Sequence, residues 1–449
     1  MKRAFFAAAA MLTGLHGLEA KAANWVDVIA AEQPESPTIR PFGFVQPTYT
    51  YYSADRIQGA SAALNGNYQL QNLVGPNFDD PQQFQLLRAQ VGVRGILHPV
   101  SDKISYMIFT DFGRNIVTQQ RPLMLTEAVA TFNHIPGARI RAGLFKPPTG
   151  EEALVVNPIA FSYVYYSFFS SVLLQEFPYR PSSGSGCGAT APAPGYATTL
   201  TCARVAAGNM GYRDWGIQVF DSLNSGNWEL GYAAMVSNGG ELENMVTDTD
   251  GNKDLTWRLQ LSYIFDGKGP FRNDVNAFLW RQEGDRRFGA DDYSRTREGT
   301  GFRYFNKPFR FSGEYIRGEG MIPAGPNPPL AGPTGLSPTY NLLISPTAKA
   351  DGWYLEGGWR FHRNWEVSAR YDEFDVLNDD PFANRLFKTW TLSTQYFLNK
   401  NTQILLNYEW RDVKVPHLEA IAAAQQANAL ALANNLADRI SLQLTWHFF

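Results

Sequence analysis

Arg439-Ile440-Ser441-Leu442-Gln443-Leu444-Thr445-Trp446-His447-Phe448-Phe449 closes the chain, and its alternation decides the fold. Ile440, Leu442, Leu444, Trp446 and Phe448 fall on one face of an extended strand, and Arg439, Ser441, Gln443, Thr445 and His447 fall on the other. In water, an edge strand carrying five bulky apolar residues would pair with other chains. With lipid on the apolar side and water on the polar side, the same pattern is the closing strand of a membrane β-barrel.

Composition agrees with a barrel and excludes other classes. The 449 residues include 30 Phe, 21 Tyr and 11 Trp, yet only 18% are charged and the formal net charge is -3. A charge near zero offers no basic excess to neutralise phosphates, so no nucleic-acid partner is expected. Two Cys are too few for a disulfide scaffold or a multi-Cys zinc ribbon. The mean hydropathy of -0.27 is too polar for a helical membrane protein. No apolar run beyond residue 20 is long enough to span a bilayer as a helix.

The N-terminus sets the compartment. Lys2 and Arg3 precede an apolar stretch from Ala4 to Leu18, and Ala20-Lys21-Ala22 offers a small-x-small cleavage site. Residues 1–22 therefore read as a secretory signal peptide, 23–40 as an N-terminal periplasmic segment and 41–449 as the barrel. Removing 1–22 takes away Lys2, Arg3, Lys21 and Glu19, so the net charge moves from -3 to -5. The expected location is the bacterial outer membrane.

Period-2 alternation recurs along the chain. It predicts strands near 41–53, 83–96, 102–111, 122–134, 138–147, 211–221, 226–237, 254–266, 272–282, 299–305, 309–317, 351–362, 364–374, 386–398, 402–411 and 438–449. The connections alternate long and short without a break. The short ones include Ile135-Pro136-Gly137 and Asn399-Lys400-Asn401; the long ones include 54–82, 148–210, 238–253, 283–298, 318–350 and 412–437. Short periplasmic turns, long external loops and an even strand number define an all-β, 16-stranded antiparallel transmembrane β-barrel. Sixteen strands leave an aqueous channel. Trp228, Trp257, Trp353, Trp410 and Trp446 at strand ends suit the interfacial girdles.

Three stretches resemble the phosphate-selective porin O/P family. Gln85-Leu86-Leu87-Arg88-Ala89-Gln90-Val91-Gly92-Val93-Arg94-Gly95, leading to Thr110-Asp111-Phe112-Gly113, is similar to its early strand pair. Ala142-Gly143-Leu144-Phe145-Lys146-Pro147-Pro148-Thr149-Gly150-Glu151-Glu152 is similar to its Gly-x-Phe-Lys-x-Pro-Phe-Gly-x-Glu segment. Tyr396-Phe397-Leu398-Asn399-Lys400-Asn401-Thr402-Gln403 through Tyr408 is similar to its penultimate hairpin. Leu87 and Gln90 stand where the family carries further Arg, and Thr149 stands where it carries Phe. The resemblance implies a homotrimeric porin whose third external loop, here 148–210, folds inward as the constriction.

The parity opposite the apolar face turns Arg88, Arg94, Arg139, Arg141, Arg258, Arg303, Arg310, Arg360, Arg370 and Arg439 into the lumen. It turns in Asp111, Glu127, Asp214, Glu229, Glu314, Glu356, Glu366, Asp372 and Glu409 as well. Lys146 joins the candidate pore lining. Arg88, Arg94, Arg139 and Arg141 lie on strands two and five, where grouped guanidinium forks would concentrate carboxylate or phosphate. Pairing of each Arg with a lumen carboxylate is the plain alternative.

Phe161-Ser162-Tyr163-Val164-Tyr165-Tyr166-Ser167-Phe168-Phe169 is too apolar for a solvated loop, which favours packing into the lumen, with cover of a trimer contact as the alternative. Cys187 and Cys202 share this loop. In an oxidising compartment they suit a disulfide, stabilising by roughly 3 kcal/mol in the chain-entropy model. Residues 417–437 read as a helix, either with Leu418, Ile421, Leu432 and Leu436 facing the barrel mouth or, as the plain alternative, solvated.

Catalytic motifs are missing from the sequence: there is no G-x-S-x-G elbow, no H-E-x-x-H and no P-loop. His98, His134 and His362 fall in separate turns. Asp248-Thr249-Asp250-Gly251-Asn252 lacks the glycine position and closing Glu of a calcium loop and reads as a tight turn. Asp79-Asp80, Asp291-Asp292 and Asp379-Asp380 either bridge lipopolysaccharide through divalent cations or keep loops soluble. The expectation is a porin passing small hydrophilic solutes, anions such as phosphate favoured, without enzyme activity, metal or cofactor. Its partners are outer-membrane lipid, lipopolysaccharide and the solutes themselves. A channel for neutral or aromatic nutrients is the alternative, with a barrel enzyme or adhesin after it.

Overall fold

The computed structural model of the chain describes residues 36–58, 81–113, 123–154, 161–175, 179–181, 201–205, 211–240, 250–269, 272–324 and 341–448, with a few isolated positions between them. The expected signal peptide and the Cys187 side of the expected disulfide lie outside the described residues.

Sixteen antiparallel strands form one closed barrel. The first eight are β1 (Arg40–Ser53), β2 (Gln82–Ile96), β3 (Ile104–Asp111), β4 (Met124–Phe132), β5 (Arg139–Phe145), β6 (Asp214–Ser225), β7 (Trp228–Ser237) and β8 (Asp254–Asp266). The second eight are β9 (Asn273–Phe288), β10 (Asp291–Asn306), β11 (Phe309–Glu319), β12 (Lys349–His362), β13 (Trp365–Val376), β14 (Arg385–Asn399), β15 (Thr402–Lys414) and β16 (Asp438–Phe448). Each strand pairs with its sequence neighbour, and β16 closes on β1 from Gly43 opposite Phe448 to Ser53 opposite Asp438. All sixteen strands expected from alternation are present.

The closing strand shows why the chain folds this way. Ser441, Gln443 and Thr445 are buried toward the interior, while Leu442, Leu444 and Trp446 are exposed on the outer wall. The exposed residues continue around the barrel as Leu259, Leu261, Leu279, Leu355, Leu392 and Leu406, which forms the apolar band that lipid requires. No helix among the described residues is long and apolar enough to cross a membrane. Crossing rests on strands, which satisfy every backbone group by closing the sheet.

One expected loop is corrected. Residues 283–298, read as a long connection, continue as strand on both sides of a turn at Gly289–Ala290. In the fold their charges pair across strands: Arg287 with Asp292 at 2.5 Å, Arg281 with Glu298 at 3.0 Å, and Arg286 with Asp254 of β8 at 2.6 Å. The expected long connection is therefore strand at this one hairpin, paired up to Phe288 opposite Asp291.

The connection after β5 turns inward. It carries α1 (Glu151–Leu154) and α2 (Phe168–Leu173). Phe169, Val172, Leu173 and Leu174 are buried in an apolar cluster with Trp280, Ile316, Met321 and Tyr354. This cluster is the core of the molecule, and it lies inside the barrel. A small sheet ordered Ile322–Ala324, Asn341–Ser345, Thr201–Val205, Tyr179–Pro181 joins the far arm of the same connection to the segment between β11 and β12. In the last external connection, Leu418–Ala420 forms a short helical turn and α3 spans Ala423–Asn434. Ile421 and Leu432 are buried there, and Leu436 packs against the apolar cluster.

Candidate functional site in the lumen

The inward connection is held by carboxylates at its start. Gly150 lets the chain approach the wall closely: a Cβ there would lie 2.7 Å from Leu174 and 3.0 Å from a Glu314 oxygen. Glu151 then accepts from the Arg258 guanidinium at 2.6 Å and lies 3.7 Å from Arg303. Arg258 also donates to the Thr149 carbonyl at 2.7 Å. Glu314 accepts from the Glu151 backbone N–H and from the Trp280 indole, each at 2.9 Å. Glu152 accepts from Arg370 at 2.9 Å and from the Ser167 N–H at 3.1 Å.

Other wall guanidinium groups are similarly engaged. Arg310 bridges Glu356 at 3.0 Å and Glu366 at 2.9 Å. Arg303 reaches Asp274 at 3.1 Å, and Arg439 forks onto Glu409. Arg360 donates to the Arg363 carbonyl and lies over Phe397 at the periplasmic turn. Two residues from the expected early cluster are also paired near the periplasmic end. Arg94 lies 3.0 Å from Glu32, and Arg139 lies 2.6 Å from Asp221. Arg258, Arg303 and Arg370 thus face the interior, where they grip the inward segment.

The remaining expected residues come together on the wall of β2, β4 and β5. Arg88 donates to Gln46 at 3.1 Å and lies 5.5 Å from the Tyr166 ring centroid. Arg141 and Arg213 each approach Glu127 at 3.7 Å, beyond hydrogen-bond reach. The Nε atoms of both are buried without a hydrogen-bond partner. Lys146, one residue beyond β5, feels Arg213, Arg88 and Arg141 as neighbouring cations and Glu127 as the nearby carboxylate. Burial first, and then these cations, push its amine down to about 7 against the opposing pull of Glu127.

The result is a group of four basic side chains around Glu127, roofed by Tyr166 of the inward segment. Buried N–H donors without partners are costly in a neutral site. The Nε atoms of the anchors Arg258 and Arg370 lack hydrogen-bond partners too, so what sets this group apart is that Arg141 and Arg213 share one carboxylate at 3.7 Å. Parity identified Arg88, Arg141 and Glu127. Arg213 escaped it because it lies just before β6 begins at Asp214, where strand alternation no longer governs direction. Glu151 and Glu152 escaped as lumen groups because they sit on a connection; their adjacency to the Lys146 stretch was the available signal.

Cys202 lies on the strand Thr201–Val205, with its backbone opposite Leu343. Among the described residues no group of three or more His, Cys, Asp or Glu side chains is arranged to hold a metal. Asp248 and Asp250 accept backbone N–H groups of Gly251 and Asn252 at 2.9 and 3.0 Å, forming the expected tight turn.

A closed sixteen-stranded barrel with lipid-facing leucines and an inward third connection defines the class: an outer-membrane porin. The family profile of phosphate-selective porin O and P matches residues 333–432, spanning β12 to α3. This agrees with the resemblance read from the Tyr396–Tyr408 hairpin, which lies inside the matched residues. No curated protein matches it in sequence.

Solved structures match in fold across nearly the whole chain. The anion-selective porin from Comamonas acidovorans has a TM-score of 0.53 at 12% identity, covering 92% of this chain and all of that one. Salmonella typhi OmpF, in complex with daunomycin, has a TM-score of 0.54 at 11% identity, covering 91% and 97%. The outer-membrane channel DcaP of Acinetobacter baumannii has a TM-score of 0.50 at 11% identity, covering 94% and 100%.

Proposed function

We propose that this porin is a water-filled diffusion channel that favours small anions, with inorganic phosphate within its class of solute. The observation carrying the proposal is the meeting of Arg88, Arg141, Lys146 and Arg213 around a single shared carboxylate, Glu127. Arg258, Arg310, Arg370 and Arg439 are matched by carboxylates, and Arg295 and Arg297 are held by carbonyls at the end of α2, so the field is uneven although overall charge is nearly balanced. An uneven field in a narrow, low-dielectric passage concentrates counter-ions locally. Selection then follows from width and wall charge, with no energy coupling, cofactor or covalent chemistry.

Residues 148–210 serve as the constriction loop in this reading. Its aromatic stretch supports packing more than a slide for apolar nutrients. Tyr163 lies under Arg370 and Tyr165 under Arg439, at 4.5 and 3.6 Å from ring centroid to guanidinium carbon, so these faces are already covered. The chain enters the outer membrane after cleavage at residue 22, which mass measurement of the mature N-terminus checks. It assembles as a homotrimer through its lowest wall: β3, β4 and β5 have 8, 9 and 7 residues, against 16 in β9 and β10. A monomeric mass in mild detergent contradicts the trimer.

Planar-bilayer recording of purified full-length protein tests the channel. Stepwise conductance is expected in potassium chloride, reduced by millimolar inorganic phosphate competing for the basic group. A folded protein without conductance overturns the proposal.

A further inference from the structure

The end of α2 meets two arginines that the channel function does not use. Arg297, on β10, is almost fully buried. Its Nε donates to the Leu173 carbonyl at 2.9 Å, where the last turn of α2 leaves oxygens without helical partners. Its Nη1 donates to the carbonyls of Thr296, Glu319 and Gly320 at 2.8, 3.1 and 3.0 Å, and its Nη2 to Met321 at 3.2 Å. Arg295, two residues earlier on the same strand face, donates to the same Leu173 oxygen at 3.0 Å and to Gln282 at 3.1 Å.

One planar guanidinium therefore ties three elements: the C-terminal end of α2, the strand β10, and the bend after β11. The bend is shaped for this contact. Gly320 has φ of 74°, and a Cβ on it would lie 1.8 Å from the Ser294 carbonyl, so only glycine brings these carbonyls toward Arg297. Arginine suits the position because its donors radiate in a fixed plane, whereas lysine offers one rotating ammonium. The α2 turn contributes Phe169, Val172 and Leu173 to the apolar cluster, so the clamp sits where the inward segment is seated against the wall.

We propose that Arg297, supported by Arg295, is the positioning residue of the channel. It fixes the inward segment at the depth that sets pore width, without contributing to charge selection. The proposal rests on the reading of 148–210 as the constriction loop. Both arginines lie on the part of β10 that continues the hairpin beyond the expected 299–305 strand, which brings them to the end of α2.

The test uses full-length protein carrying Arg297→Gln, with Arg297→Lys as the milder variant if the first inserts poorly. Hydrogen exchange of residues 167–174 is measured beside single-channel recording. Exchange in Arg297→Gln is expected to rise by about tenfold or more in that segment, with Arg297→Lys between it and the parent. The open channel is expected to show several-fold greater current fluctuation, with an unchanged anion-to-cation permeability ratio. Unchanged exchange overturns the clamp. Raised exchange with parental conductance and noise keeps the clamp but removes the constriction-loop reading. A changed permeability ratio with quiet current overturns the separation of positioning from charge selection.

Discussion

At the residue scale, function and stability draw on the same side-chain type in different company. Arg258 and Arg370 are each matched by a carboxylate of the inward segment at 2.6 and 2.9 Å. Arg141 and Arg213 share Glu127 at a distance that leaves donors unused. The first pair is an anchor, and breaking it strands a buried charge. Glu152→Ala is expected to destabilise the folded barrel by about 3–5 kcal/mol, read as a lowered thermal midpoint in detergent. Lys146 makes the second group sensitive to pH. Its amine, held down to about 7 by burial and neighbouring guanidinium groups, is charged below that pH and neutral above it. Anion preference is therefore expected to rise as pH falls from about 8 to about 6, and Lys146→Ala should weaken the rise. An equal pH response in the variant would place the titrating group elsewhere.

At the scale of elements, the hairpin of β9 and β10 shows where sequence patterning stops informing. Alternation identified residues 272–282 and 299–305 because lipid imposes an apolar face there. Beyond the bilayer that constraint ends, and both faces become polar. Strand pairing then rests on interactions such as Asp254 with Arg286 at 2.6 Å and with Gln282 at 2.9 Å, which link residues distant in sequence. The inward segment was legible for the opposite reason: Phe161 to Phe169 was too apolar to remain in solvent. Its seat on Trp280, Ile316 and Tyr354 was not, because those positions serve equally well as wall residues. Asp254→Ala is expected to raise hydrogen exchange over residues 282–297 while sparing β13 to β16. Uniform exchange changes around the barrel would contradict a local role.

At the scale of the whole molecule, the polar mean hydropathy and the membrane location are reconciled by one division. The strands present an apolar face to lipid and, away from the seat of the inward segment, a polar face to the lumen, and Leu442, Ser441, Leu444 and Gln443 of β16 display it in four consecutive residues. Net charge has little meaning at this scale, because the inward segment redistributes it. Glu151 and Glu152 neutralise guanidinium groups on β8 and β13, leaving Arg88, Arg141, Lys146 and Arg213 around Glu127 as an uneven part of the field. The central claim is that this group sets selectivity. Reversal potential across a tenfold potassium chloride gradient tests it most directly, in the parent and in Arg141→Ala with Lys146→Ala. The account predicts an anion-selective potential in the parent that moves toward zero in the double variant. A cation-selective parent, or a double variant with the parental potential, would contradict it.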